Sequence, residues 1–206
     1  MIPLMVDLSG RRVLIFGGGT VGARKARFFS PEADVTVISR SFSDECDVLP
    51  VRKRELDLSR MADIGIARLV EGSFIVIAAT SDEALNDRIG KICREKGILF
   101  NNAAGETGDL LIPSVIKGEH YLLAISTAGE SPAISRFLRE YIQASLPQID
   151  RMVVLQTRLR EALQDKVPDT DTRRMILWEV LNDPTIWEAL GKGEEEGWRM
   201  VKERYL

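Results

Sequence analysis

The chain has 206 residues, 45% of them hydrophobic and 29% charged, an ordinary globular composition with room for one full domain and a smaller one. A net charge of −3 gives no general attraction to nucleic acid or to an anionic membrane. No apolar run approaches the roughly 20 residues of a membrane helix, and a core of this size needs neither disulfides nor a structural metal.

Met1 to Leu8 is partly apolar but lacks the basic start and small-residue cleavage site of a signal peptide, so a cytoplasmic protein is expected. Arg12 to Phe16 (RVLIF) is a short apolar run that enters three glycines, the pattern of a buried parallel strand. Thr20 to Phe29 follows as a helix, closed by Ser30-Pro31. Asp34 to Ser39 (DVTVIS) is β-branched and predicts a second strand, and Val51 to Leu56 predicts a weaker, edge strand. Ser59 to Glu71 has helical spacing. Ser73 to Ala79 (SFIVIAA) is the strongest strand in the chain. Asp82 to Lys96 predicts a helix with Leu85, Ile89, Ile92 and Cys93 on its apolar face, capped by Ser81 or Asp82. Gly97 to Asn101 predicts the next strand. Alternation of this kind over residues 11–101 implies a doubly wound parallel sheet.

The rhythm changes after Pro113. Tyr121 to Ser126 predicts a strand and Ser131 to Ser145 a helix. Beyond Pro147 no strand is expected. Ile149 to Leu163, Arg173 to Leu181 and Thr185 to Leu190 have helical spacing, and Glu194 to Glu196 sits where acidic charge suits the start of a last short helix. The expected organisation is α/β: a Rossmann-like dinucleotide-binding domain over 1–113, a dimerisation region over 114–147 and a small helical domain over 148–206.

Gly17-Gly18-Gly19-Thr20-Val21-Gly22 fits G-x-G-x-x-G and sits between a strand and a helix, the context that turns a weak motif into a specific one. Gly17 makes the tight turn, Gly19 lets a pyrophosphate approach the backbone, and Gly22 allows the helix to pack closely on the sheet. The helix N-terminus adds free N–H groups and a partial positive charge. The usual acidic residue that holds the ribose of NAD is missing from the end of the second strand, where Ser39-Arg40-Ser41 stands instead. On those residues alone Arg40 leaves the choice of dinucleotide open and tilts it slightly to NADP; the competing reading of Arg40 is a solvated surface charge. Thr80 and Ser81, after the strongest strand, should reach the same crevice or else simply cap the next helix. Cys46, Cys93 and the single His120 show no metal-ligand spacing, and no metal site is expected.

Taken together, several features resemble the precorrin-2 dehydrogenase/sirohydrochlorin ferrochelatase family of sirohaem synthesis. They are GGGTVGARKA (Gly17 to Ala26), Ile77-Ala78-Ala79-Thr80 with Asn86, Asn101, Ile112-Pro113, Ile125 to Pro132 (ISTAGESP), Arg136, Arg139, and Arg173-Arg174 to Trp178. The resemblance covers nearly the whole chain. It implies oxidation of precorrin-2 to sirohydrochlorin with NAD as hydride acceptor, by a homodimer that binds the tetrapyrrole near the nicotinamide. It also implies that NAD is used although the acidic ribose ligand is absent, and that Thr20, Val21, Arg40 and Ser41 contact it. Precorrin-2 is rich in carboxylates, which Arg recognises best. Arg24, Lys25, Asn101, Ser131, Arg136 and Arg139 are therefore expected at the substrate; a plain solvated helix face is the competing reading of the four cations.

The chain departs from the family at one place. Where the family commonly has Asn followed three residues on by an Asp, this chain has Asn101 and Ala104. Glu106, Asp109 and His120 are the candidates for taking the departing proton in its stead; the competing and favoured reading of His120 is a surface residue that opens a strand after Gly118-Glu119. The departure favours a dehydrogenase. The alternatives are a bifunctional or chelatase-only enzyme that loads ferrous or cobaltous ion into sirohydrochlorin, and, of another class, a nucleotide-sensing regulatory module.

Overall fold

The structure is a computed structural model and describes residues 2–105 and 108–206. The chain forms two compact units, Met1–Ile112 and Pro113–Leu206.

In the first unit β1 (Arg12–Gly18), α1 (Thr20–Phe29), β2 (Asp34–Phe42), α2 (Asp44–Asp47), β3 (Arg52–Glu55), α3 (Asp63–Val70), β4 (Ile75–Ala78), α4 (Glu83–Glu95) and β5 (Leu99–Asn102) follow in order. The strands pair in parallel as β3-β2-β1-β4-β5. The sheet is therefore wound outward in both directions from β1, and its switch point lies between β1 and β4. Alternate residues of β1 serve two cores. Leu14 and Phe16 pack with Ile66 and Val70 of α3 and Leu85, Ile89 and Ile92 of α4. Val13 and Ile15 pack on the other face with Ala23, Ala26 and Phe29 of α1. Burying a side chain of this size contributes about 1.5–3 kcal/mol, which is why the central strands read as continuous apolar runs.

All five expected strands of this unit are present. The helix expected from Ser59 begins only at Asp63, because Asp57 Oδ1 accepts the Ser59 N–H at 2.9 Å and holds a turn in its place. The four-residue α2 was not expected; it is too short to carry a periodic signal. β2 runs to Phe42 instead of ending at Ser39. Phe16 pairs with Ile38 and Gly18 with Phe42, so Ser39, Arg40 and Ser41 bulge out opposite Gly17. Gly18 permits this, since a Cβ there would lie 2.5 Å from the Ser41 carbonyl oxygen.

The second unit opens with an antiparallel pair, β6 (Ser114–Lys117) and β7 (Leu122–Ile125), closed by a Gly118 N–H to Tyr121 C=O bond at 3.0 Å. The sequence predicted only the second of these strands; four residues, SVIK, are too few to show alternation. α5 (Pro132–Ser145) contacts both strands. Then come α6 (Ile149–Lys166), α7 (Thr170–Asn182), α8 (Pro184–Lys192) and α9 (Glu194–Tyr205), which share a core of Met152, Leu155, Leu159, Leu163, Val180, Ile186, Leu190, Trp198 and Val201. No strand follows Pro147 among the described residues.

Candidate nucleotide-binding site

The three motif glycines do three different things. Gly17 has φ +111°, and a Cβ on it would lie 2.2 Å from the Ala79 carbonyl oxygen, so both the conformation and the close approach of β4 demand glycine. A Cβ on Gly22 would lie 1.9 Å from the Gly17 carbonyl oxygen; this glycine lets α1 pack on the loop. Gly19 has φ −76° and ψ −174°, open to any residue, and a Cβ there would meet nothing within 4 Å. Neither backbone nor packing calls for glycine at 19. What it provides is open space in front of α1.

That space faces uncapped donors. α1 has no side-chain cap and no acidic residue in its first turn. By contrast α4, α5, α7 and α8 are capped by the side chains of Asp82, Ser131, Asp169 and Asp183. The first N–H groups of α1 are thus left for an anion.

A cavity of about 630 Å³ runs along the carboxyl ends of the strands. It is lined by residues 17–21 of the glycine loop, 38–43 at the end of β2, 56–59 after β3, 79–82 after β4, and Leu85. Ten of the eleven residues expected at the cofactor line it: Gly17, Gly18, Gly19, Thr20, Val21, Ser39, Arg40, Ser41, Thr80 and Ser81. Gly22 does not. Asp57 and Ser43 line it too and were missed, because they lie in short connections without a motif.

The Ala79–Thr80 edge is fixed from behind. Asn86 is fully buried, and its Oδ1 accepts the Thr80 N–H at 3.2 Å and the Thr80 hydroxyl at 2.7 Å, while its Nδ2 donates to the Thr80 carbonyl at 3.1 Å.

The residues expected at the substrate are distributed over both units. Arg24 and Lys25 lie on α1 but do not line the cavity. Burial, then the Arg24 charge, pushes the Lys25 ammonium below its usual value. Asn101 is buried at the end of β5, where its Nδ2 donates to the Leu110 carbonyl at 2.7 Å and its Oδ1 meets no donor among the described residues. In the second unit Ser131 caps α5 through the Ile134 N–H. Arg136 and Arg139 do share a face, but both turn to Glu140, at 2.8 and 3.5 Å from its Oε1. The hydrogen bond and charge of Arg136 hold the Glu140 carboxyl below its usual range.

Of the candidate bases, Glu106 lies outside the described residues. Asp109 is exposed and acts on Cys93, in the half of α4 remote from the cavity. His120 sits in the β6–β7 turn, its backbone N–H bonded to Asp150 Oδ1 at 2.8 Å and its side chain partly exposed. At position 104 the backbone N–H of Ala104 donates to Asn102 Oδ1 at 3.2 Å, and Asn102 Nδ2 donates to Asp87 Oδ1 at 2.9 Å. Asp87 is a carboxylate beside this loop that sequence reading missed; it stands on the helix, far from the motif in sequence.

Residues 4–114 match a family model described as NAD(P)-binding. The precorrin-2 dehydrogenase of Methanosarcina barkeri is 42% identical over 200 residues, 95% of this chain and 89% of that protein. The chain belongs to the precorrin-2 dehydrogenase family. Its likeness extends to the siroheme synthases: that of Thioalkalivibrio sulfidiphilus is 32% identical over 99% of this chain, which spans 42% of the length of that protein. A solved structure of SirC, a precorrin-2 dehydrogenase, superposes over 98% of this chain and 100% of its own with a TM-score of 0.73 at 24% identity, and shares the fold. Within this family fold the cavity of this member lies at the β1/β4 switch point, where open α/β sheets bind their ligands.

Proposed function

We propose that this chain oxidises precorrin-2 to sirohydrochlorin, with NAD as the hydride acceptor, in sirohaem biosynthesis. The observation that carries the redox half is Gly19: open space that no packing or backbone need explains, in front of the uncapped N-terminus of α1. The family supplies the substrate half.

NAD, when bound, supplies the nicotinamide carbon that accepts the hydride. The protein's part is holding and orienting. The first N–H groups of α1 and its dipole bind the pyrophosphate past Gly19. Ser39, Arg40 and Ser41 line the adenosine end, and Thr80 and Ser81 the edge next to β4. Arg24, Lys25, Asn101, Ser131, Arg136 and Arg139 are the proposed substrate contacts. For Arg136 and Arg139 to grip substrate carboxylates they exchange Glu140 for them. His120, the one imidazole among the candidates and so the side-chain type suited to taking a proton near neutral pH, is the proposed acceptor of the proton that leaves the macrocycle; its side chain is partly exposed.

The same reading includes a homodimer and a cytoplasmic location. α5 presents Ile134, Phe137, Leu138 and Tyr141 to solvent on one face, with Phe137 and Tyr141 60% and 61% exposed and stacked on each other. We assign that face, within the 114–147 region, to a second copy of the chain, leaving 148–206 as the helical domain. Two buried, unpaired thiols, Cys46 and Cys93, suit a reducing compartment. Among the described residues no helix is long and apolar enough to cross a membrane.

The test is incubation of the purified chain with precorrin-2 and NAD under anaerobic conditions, following sirohydrochlorin and NADH by absorbance. The two products should rise together, one for one. Sirohydrochlorin formed without NADH, or no product at all, would sink the proposal.

A further inference from the structure

The cavity contains a charge arrangement that the glycine motif does not explain. Arg40, at the end of β2, would welcome the extra phosphate of NADP. The neighbouring strand β3 is itself basic (RKRE), but the connection that follows it brings a carboxylate. β3 pairs with β2 through Ser39 and Glu55, and the Leu56 N–H adds a bond to the Ser39 carbonyl at 2.9 Å. Asp57 is the next residue, and it lines the cavity beside the Ser39–Ser41 bulge. Its carboxylate is held in place by the Ser59 N–H at 2.9 Å. Bonds from the Ser59 backbone and hydroxyl, then the charges of Arg40 and Arg60, hold this carboxyl below its usual range, so it is ionised at neutral pH.

We propose that Asp57 is the residue that selects NAD over NADP in this cavity. The proposal rests on the nucleotide reading given above. The acidic group that dinucleotide sites ordinarily carry on the second strand is supplied here by the connection after the third. From there Asp57 accepts a ribose hydroxyl of NAD, offsets the charge of Arg40, and repels a 2′-phosphate. Arg40 alone would point to the other cofactor; the pair reverses that preference. The bulge in β2 makes this arrangement possible, because it carries Arg40 out of the ladder and leaves the strand end next to Asp57.

The test uses the whole chain and equilibrium titration with NAD and NADP at low salt, where exposed charges are least screened. Asp57→Asn keeps the turn with Ser59, since Asn forms the same kind of turn. NADP affinity should rise roughly tenfold, the size expected when one unit charge near a doubly charged phosphate is removed at an exposed site. NAD affinity should fall severalfold. Adding Arg40→Ala to Asp57→Asn should remove the NADP gain. If Asp57→Asn binds NAD with the ratio of the two affinities unchanged within twofold, the proposal for Asp57 is overturned while the nucleotide reading stands. If the unmodified chain binds neither nucleotide, the nucleotide reading itself fails and this proposal with it.

Discussion

Thr80 and Asn86 are joined by three hydrogen bonds: one side-chain amide takes the backbone N–H and hydroxyl of Thr80 and returns a bond to its carbonyl. Thr80 forms the rim of the cavity and Asn86 is wholly buried beneath it. Asn86→Leu should leave the half-buried Thr80 backbone groups without their protein partners, at about 1 kcal/mol for each, and loosen the rim. Urea unfolding should show lower stability, and titration should show weaker NAD binding. Unchanged NAD affinity in a variant that is destabilised but folded would mean that the clamp serves stability alone.

Gly19 and Gly22 make opposite predictions from one motif. Gly19→Asp adds a side chain into open space at a permitted φ, so its melting temperature should stay close to that of the parent while NAD binding is lost. Gly22→Ala forces a Cβ to within 1.9 Å of the Gly17 carbonyl oxygen and should lower stability by several kcal/mol, as overpacking does. Thermal melts with and without NAD separate the two. A Gly19→Asp chain that still gains stability from NAD would count against the binding mode.

Phe137 and Tyr141 form an exposed aromatic pair on α5. Phe137→Glu with Tyr141→Glu should turn a dimer into a monomer in sedimentation velocity without loss of helix content. If the parent chain sediments as a monomer at micromolar concentration, the assignment of that face is wrong.

Burial, then the Asp109 charge, pushes the Cys93 thiol up to about 12 from an ordinary value of 9.0. Above pH 9.0 the unfolded chain loses this proton and the folded chain keeps it. The unfolded state then binds fewer protons, so this contribution to stability is complete below pH 9.0 and is lost as pH rises toward about 12. Cys93→Ala should have a shallower fall in urea midpoint across that window. Parallel curves for the two chains would show that Cys93 contributes nothing.

The parallel sheet was legible in the sequence because its central strands are buried on both faces. Runs such as RVLIF and SFIVIAA have no other stable use in a chain of this composition. The glycine loop was legible because its spacing answers to steric limits that any such turn imposes. The first strand of the hairpin and the short α2 were not, since four residues carry no period. The start of α3 was displaced by a side chain that bonds its own backbone, a choice that composition does not reveal.

The sequence by itself determined that a strand, a glycine turn and a helix would expose bare backbone to a diphosphate, because this follows from local geometry over a few residues. Only the tertiary structure decided what surrounds that backbone. It brought Asp57 and Arg40 into one cavity, put Asn86 under Thr80 and turned Arg136 and Arg139 to Glu140. Apart from the helix pairing at Glu140, these contacts depend on how strands pair across a sheet and how a helix folds back on its strand. That pairing is set by the burial of the whole core, which no short stretch of sequence encodes.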